Sequence, residues 1–330
     1  MPHNAYRKRR EVAVIGLEAT PGATPTKQHT MHWLDKNFRS IPNILENESA
    51  MGEDARVNDS AIDVWHSEGS LGGKVTENGI AVLLNGVLNK VTTTALTGPD
   101  AGKYKHVFTR DKTVARKTFS FWDVRPPSTR LFKSLYMDNL AINLEVGESG
   151  AWLQFTSAFK GWKHTDTTGV TPAFDATEDE FTSRHVKLFL ADDVAGLADT
   201  VASRLKVKSF TITLEETATP DHAIGETDND PEFDSAPAEV RGTFVVKYRK
   251  TDLEEDFFTN TAHAMKLLAE NNGDIIEILA TKVRFRELTD SDGRDDIVTQ
   301  TVSFYCESDV ANAMKDVEIS VTNRMASFTA

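Results

Sequence analysis

A chain of 330 residues with 39% hydrophobic side chains can bury one large core or two ordinary ones, and is too apolar to stay disordered. Its 37 Lys and Arg against 50 Asp and Glu give a formal net charge of −13, which excludes holding nucleic acid by counterion release but suits a surface that DNA must pass without sticking. The single cysteine, Cys306, excludes an intramolecular disulfide and a thiolate metal cluster, so the chain reads as made in a reducing cytoplasm.

The N-terminus is polar, with Arg7 to Arg10 as a solvated basic end, and reads as neither a secretory signal nor a membrane anchor. Val12–Leu17 is a short apolar run that predicts a first strand. In Glu18-Ala-Thr-Pro-Gly-Ala-Thr-Pro-Thr26 the Pro21-Gly22 pair marks a turn and Pro25 keeps the chain extended. Residues 29–34 read as another extended piece. Residues 35–73 have poor periodicity and predict a long arm, with a short strand near 61–65, that packs on a neighbouring subunit. Residues 79–88 place Ile80, Leu83, Leu84, Val87 and Leu88 at helical spacing, a short buried helix. A loop is expected over 92–100.

Residues 103–109 and 117–124 alternate as two strands. Residues 131–146 and 151–162 form the next pair, joined at Gly147-Glu-Ser-Gly150. A Thr- and Asp-rich loop over 165–179, a strand over 181–190 and a loop or helical turn over 192–203 follow. Phe210, Ile212 and Leu214 then alternate on one strand, and Phe244, Val246 and Tyr248 on another. Between these two lies an acidic run, 217–239, without Lys or Arg, carrying Asp221, Glu226, Asp228, Asp230, Glu232, Asp234 and Glu239. A hairpin needs only about 2–5 loop residues, so a longer, single-signed connection points to a task of its own. Leu253, Phe257, Phe258, Ala264, Met265 and Leu268 share one helical face, with Thr251 and Glu254 as a capping box and Asn272-Gly273 as the stop, which predicts one flanking α-helix over about 252–272. Strands over 275–287, 298–307 and 317–327 close the chain, with a hairpin tip at 290–295. A faint echo links Lys133-Ser134-Leu135 to Lys208-Ser209-Phe210, with Gly161 and Gly242 near the strand that follows each; two such β units could face each other in a sandwich.

Sequences that resemble catalytic or binding motifs fail in detail. Glu68-Gly-Ser-Leu-Gly-Gly-Lys-Val75 lacks the first Gly and the final Ser or Thr of a phosphate loop. Asp290 and Asp292 begin like a calcium loop, but Gly293 comes two positions early. His29 and His32 on an extended segment would face opposite ways, and Gly147-Glu-Ser149-Gly150 lacks the spacing of a nucleophile elbow. The reading is of a protein that is not an enzyme and holds no cofactor or metal.

The order of parts resembles the tail tube proteins (major tail proteins) of long, non-contractile-tailed bacteriophages. Four stretches carry the resemblance: the first strand with Glu18-Ala-Thr-Pro-Gly, residues 73–86, the pair 131–162 ending Phe159-Lys-Gly-Trp162, and strand–loop–strand–helix–strand over 207–286. The resemblance implies a mainly β, β-sandwich or barrel-like tail tube fold with long loops and extended arms. It implies six-fold, hexameric rings that self-assemble into a stacked tube with a negatively lined lumen for DNA ejection. The virion tail would be the location, and no membrane would be involved. Partners would be the chain itself, the tape measure protein, the tail terminator, tail-tip proteins and DNA in transit. One composite domain is expected: 1–100 with strand, arm and short helix, 101–203 as a first β unit with 161–203 as decoration, and 204–330 as a second β unit. The loop matching 217–239 would reach the adjacent ring, making Asp221, Glu226, Asp228, Asp230, Glu232 and Asp234 the interface candidates. Two other readings compete. A tail-tip, baseplate or fibre module could bind glycan through Trp65, Trp122, Trp152 or Trp162, and an acidic hydrolase could assemble its carboxylates in space.

Overall fold

The computed structural model describes residues 6–52, 54, 56–198, 203–221, 225, 232–248, 252–291, 297–312 and 315–328. The chain runs β1 (Val12–Leu17), β2 (His29–Met31), β3 (Trp33–Asn47), β4 (Asp59–Lys74), α1 (Glu77–Val87), β5 (Lys90–Ala95), β6 (Tyr104–Thr109), β7 (Phe119–Val124), β8 (Thr129–Glu145), β9 (Gln154–Gly161) and β10 (Thr165–Thr167). It continues with β11 (Val186–Ala191), β12 (Arg204–Leu205), β13 (Val207–Glu215), β14 (Ala218–Asp221), β15 (Glu232–Ser235), β16 (Glu239–Lys247), α2 (Asp252–Thr259), β17 (His263–Asn271), β18 (Asp274–Asp290), β19 (Thr299–Cys306) and β20 (Glu318–Asn323). The fold is mainly β and sandwich-like, as the alternation predicts.

An antiparallel main sheet has the order β3-β4-β9-β8-β13-β16-β19-β18. A second layer runs β5-β6-β20-β18-β17-β11-β12, and a third β2-β1-β7-β8-β10. The 17-residue strands β8 and β18 each bend at bulges and so belong to two layers. Between the layers α1 is buried along its whole length, capped by Thr76, whose side chain accepts from the Gly79 N–H. Phe210, Ile212 and Leu214 of β13 and Val240, Phe244 and Val246 of β16 face this core.

Three expectations are corrected. The helix expected over 252–272 ends at Thr259, beside Asn260 in the left-handed region (φ 52°), and 263–271 is a strand. Its true period is two: His263, Met265, Leu267 and Ala269 are buried. Asn272-Gly273, with φ of 50° and 78°, is the two-residue turn joining β17 to β18, since Asn271 pairs with Asp274. The arm over 35–73 is mostly a long β3–β4 hairpin. Its outer half has no core to face, so alternation never develops. Residues 92–95 of the loop expected over 92–100 belong to strand β5, an exposed edge.

The second half of the chain repeats the first. β1, β2, β3, β4, α1, β7, β8, β9 and β10 match β11, β12, β13, β16, α2, β17, β18, β19 and β20 in order and in pairing. Even the irregularities coincide. β3 shifts register on β4 between Trp33 and Asp35, and β13 on β16 between Val207 and Ser209. Phe119–Leu135 then Phe121–Phe132 pair in one unit, His263–Val283 then Met265–Ala280 in the other. β8 shifts on β9 between Met137 and Asn139, and β18 on β19 between Phe285 and Glu287. Gly69 and Gly242 also correspond: each pairs with a Phe, Phe159 or Phe304, and a Cβ would overlap Phe38 at the first and Phe304 at the second. Among the described residues the hairpin β5–β6 is inserted only in the first unit, while β14–β15 of the second stands where the outer half of β3–β4 stands in the first. Lys133 and Lys208 of the sequence echo lie on β8 and β13, which are not counterparts.

Candidate assembly surfaces

The β8 bulge roots the acidic hairpin. Bulge residue Asp138 accepts from the Ala218 N–H at 2.8 Å, and Lys160 lies 3.2 Å from the same carboxylate while donating to the Ala218 carbonyl. Arg116 donates to Ser235 Oγ at 3.0 Å and to the Met137 and Glu216 carbonyls; burial lowers its pKa. Phe233 packs on Tyr136 with ring centroids 5.1 Å apart. From this base β14 and β15 lead outward. Asp221 and Glu232 are exposed and directly opposed, and Asp234 pairs with Thr219. Like charges placed directly opposite are unfavourable unless a cation intervenes. Glu226, Asp228 and Asp230 lie outside the described residues. Arg241, beyond the loop, is taken by Glu215 at 2.7 Å.

The outer half of β3–β4 is the first unit's counterpart of that hairpin, and its chemistry is opposite. Ile44, Leu45, Met51 and Ile62 are 53–70% exposed there. Sequence reading passed over them because they are isolated apolar residues in a polar stretch.

The face of the main sheet turned away from the core is small and polar. Cross-strand neighbours are Gln154–Asn143–Thr211–Thr243–Ser303 in one row and Thr156–Ala141–Thr213–Arg241–Tyr305 in the next. The few charges are largely matched, as Arg241 is by Glu215 and Glu239.

Inside the protein, polar clusters serve packing. The buried carboxylate of Glu18 accepts from Thr118 Oγ1 (2.7 Å), Ser120 Oγ (2.6 Å), the Gly22 N–H (2.8 Å) and the Ser134 N–H (3.0 Å), which fixes Ser134 at φ 49°. Buried Lys36 sits 2.8 Å from Glu11 and against Asp123, which also accepts from Arg125 Nε at 2.6 Å. His29 lies 3.1 Å from buried Glu178, and His32 3.7 Å from Glu180. Burial pushes Glu178 up to about 8 and His29 down to about 4, so the first is a neutral acid at pH 7 and the second a neutral imidazole. Among the described residues no three His, Cys, Asp or Glu side chains converge as a metal would require. The tryptophans named for a glycan are each occupied. Trp122 is buried, Lys163 covers Trp65 at 4.2 Å, Lys74 covers Trp152 at 3.8 Å, and Trp162 packs over Gly22.

Open strand edges, two projecting hairpins and a broad polar face suit assembly rather than catalysis. No curated protein matches the chain. A model of the phage tail tube protein family matches residues 9–306.

Proposed function

The chain belongs to the phage tail tube protein family and is a structural protein of the virion tail; from that premise we propose how it builds the tube. Copies join side by side into closed rings of six-fold character. The rings stack into a tube, and DNA passes through it during ejection. The observation that supports this most is the main sheet, whose end strands leave one edge unpaired among the described residues, β3 along its length and β18 over residues 285–290. A ring removes such edges by pairing them.

The polar face of that sheet lines the channel in this reading. Its hydroxyl and amide side chains offer phosphate no row of cations, and the net charge of −13 makes the wall as a whole repel DNA. The two hairpins, β3–β4 and β14–β15, reach the adjacent ring, with Asp221, Glu232 and Asp234 contributing charge and Ile44 and Leu45 apolar contact. The chain acts as one composite domain made in the host cytoplasm. The tape measure protein fills the channel before ejection, and terminator and tail-tip proteins close the two ends. The test is self-assembly: purified protein at high concentration, without partners, should give rings or tubes in negative-stain microscopy. Strict monomers under all conditions would refute the reading.

A further inference from the structure

We propose that adjacent chains join by pairing β18 of one copy with β3 of the next, in the register of the internal β8–β13 seam, so that a ring of six β units contains three chains. This rests on the ring-forming function proposed above.

Each unit contributes four strands to the main sheet, β3-β4-β9-β8 and then β13-β16-β19-β18. The seam between them pairs Asn139 with Glu215, Leu140 with Leu214 and Ala141 with Thr213. The bulge correspondence makes Glu287, Leu288 and Thr289 the counterparts of Asn139, Leu140 and Ala141. In the same way Ile41, Ser40 and Arg39 correspond to Glu215, Leu214 and Thr213. Among the described residues, these segments of β18 and β3 have strand partners only on their inner sides, β19 and β4. Transferring the seam therefore sets Glu287 opposite Ile41 and Thr289 opposite Arg39 of the next copy. Arg39, exposed and only 3.8 Å from its nearest carboxylate Glu68, then lies diagonal to Glu287, within reach of an ion pair. Pro42, which cannot donate a ladder bond, falls one place beyond the last pair.

The helices carry a second, independent observation. α1 packs on β8 and is covered by the following unit, through β18, β20 and a hydrogen bond from Asn323 to the Glu77 carbonyl. α2 packs on β18 in the same way, yet its Phe258 is 81% exposed. The next copy's β8 and β10, the counterparts of β18 and β20, are placed to cover it. A heterologous contact of this kind closes into a ring when its rotation closes, and at every second seam the two units already belong to one chain.

The test is a disulfide in a Cys306→Ser background. Ile41→Cys and Glu287→Cys in one chain should oxidise between copies in assembled protein and give a ladder ending at three chains. Asn37→Cys with Glu287→Cys, four residues out of register, should not. Native mass spectrometry of the wild-type ring should count three chains. Phe258→Glu should block ring formation while leaving the monomer's melting temperature within a few degrees. Tubes without the 41–287 bond, six chains per ring, or rings unaffected by Phe258→Glu would overturn the seam and leave the tube function standing. No rings or tubes from wild-type protein would overturn both.

Discussion

At the scale of single residues the interior holds more charge than a sandwich core needs. Lys36 neutralises Glu11 and Asp123 where all three are buried. Lys36→Ala removes the cation and strands the acids, which should cost about 3–5 kcal/mol in urea unfolding. Glu178 gives a pH dependence of definite sign. Its folded pKa of about 8, and the value of about 7 for Glu77, stand above the ordinary glutamate range because both are buried. The folded protein therefore keeps protons that the unfolded chain has lost, and their stabilisation disappears as pH rises through those values. His29 works the other way, gaining stability between about 4 and 6.5, so the decline is cleanest above pH 6.5. Between pH 6.5 and 8 wild type should lose roughly 2 kcal/mol more than Glu178→Gln, read from paired unfolding curves. None of this was legible in the sequence. Glu18 stands in a motif that reads as a turn, and three of its four donors lie about 100 residues away.

At the scale of elements, the acidic hairpin is rooted in β8 but contributes nothing described to the core beyond its base. Deleting Asp221 to Asp234 should leave the melting temperature within a few degrees and abolish ring stacking, so that electron micrographs show single rings; tubes of normal length would refute its role. Strands that bury one face were legible, and β13 and β16 pair as their alternation predicts. What misled was coincidence of period. Leu253, Phe257, Ala264 and Leu268 fit 3.6-residue spacing although the chain breaks at Asn260, and Asn-Gly marks both a helix stop and a hairpin turn. The β3–β4 hairpin was hidden for a different reason: its inner half uses Gly69, Gly72 and Gly73 where a strand pattern expects large residues.

At the scale of the molecule, fold class and acidity were readable, while the repeat was not. Counterparts share a place rather than an identity: Phe38 with Ile212, Met137 with Phe285, Phe119 with His263. A sheet preserves which side of a strand is buried and where it bulges, and almost any apolar residue meets that demand. The internal seam also has a consequence for how the particle's exterior can vary. Two identical units would have to carry every added loop six times around a ring. Fused and divergent, they need carry it only at alternate positions, and among the described residues β5–β6 is confined to the first unit. In the proposed ring, linkage would thus free half of the outer surface to change while the wall of the channel kept a single uniform geometry.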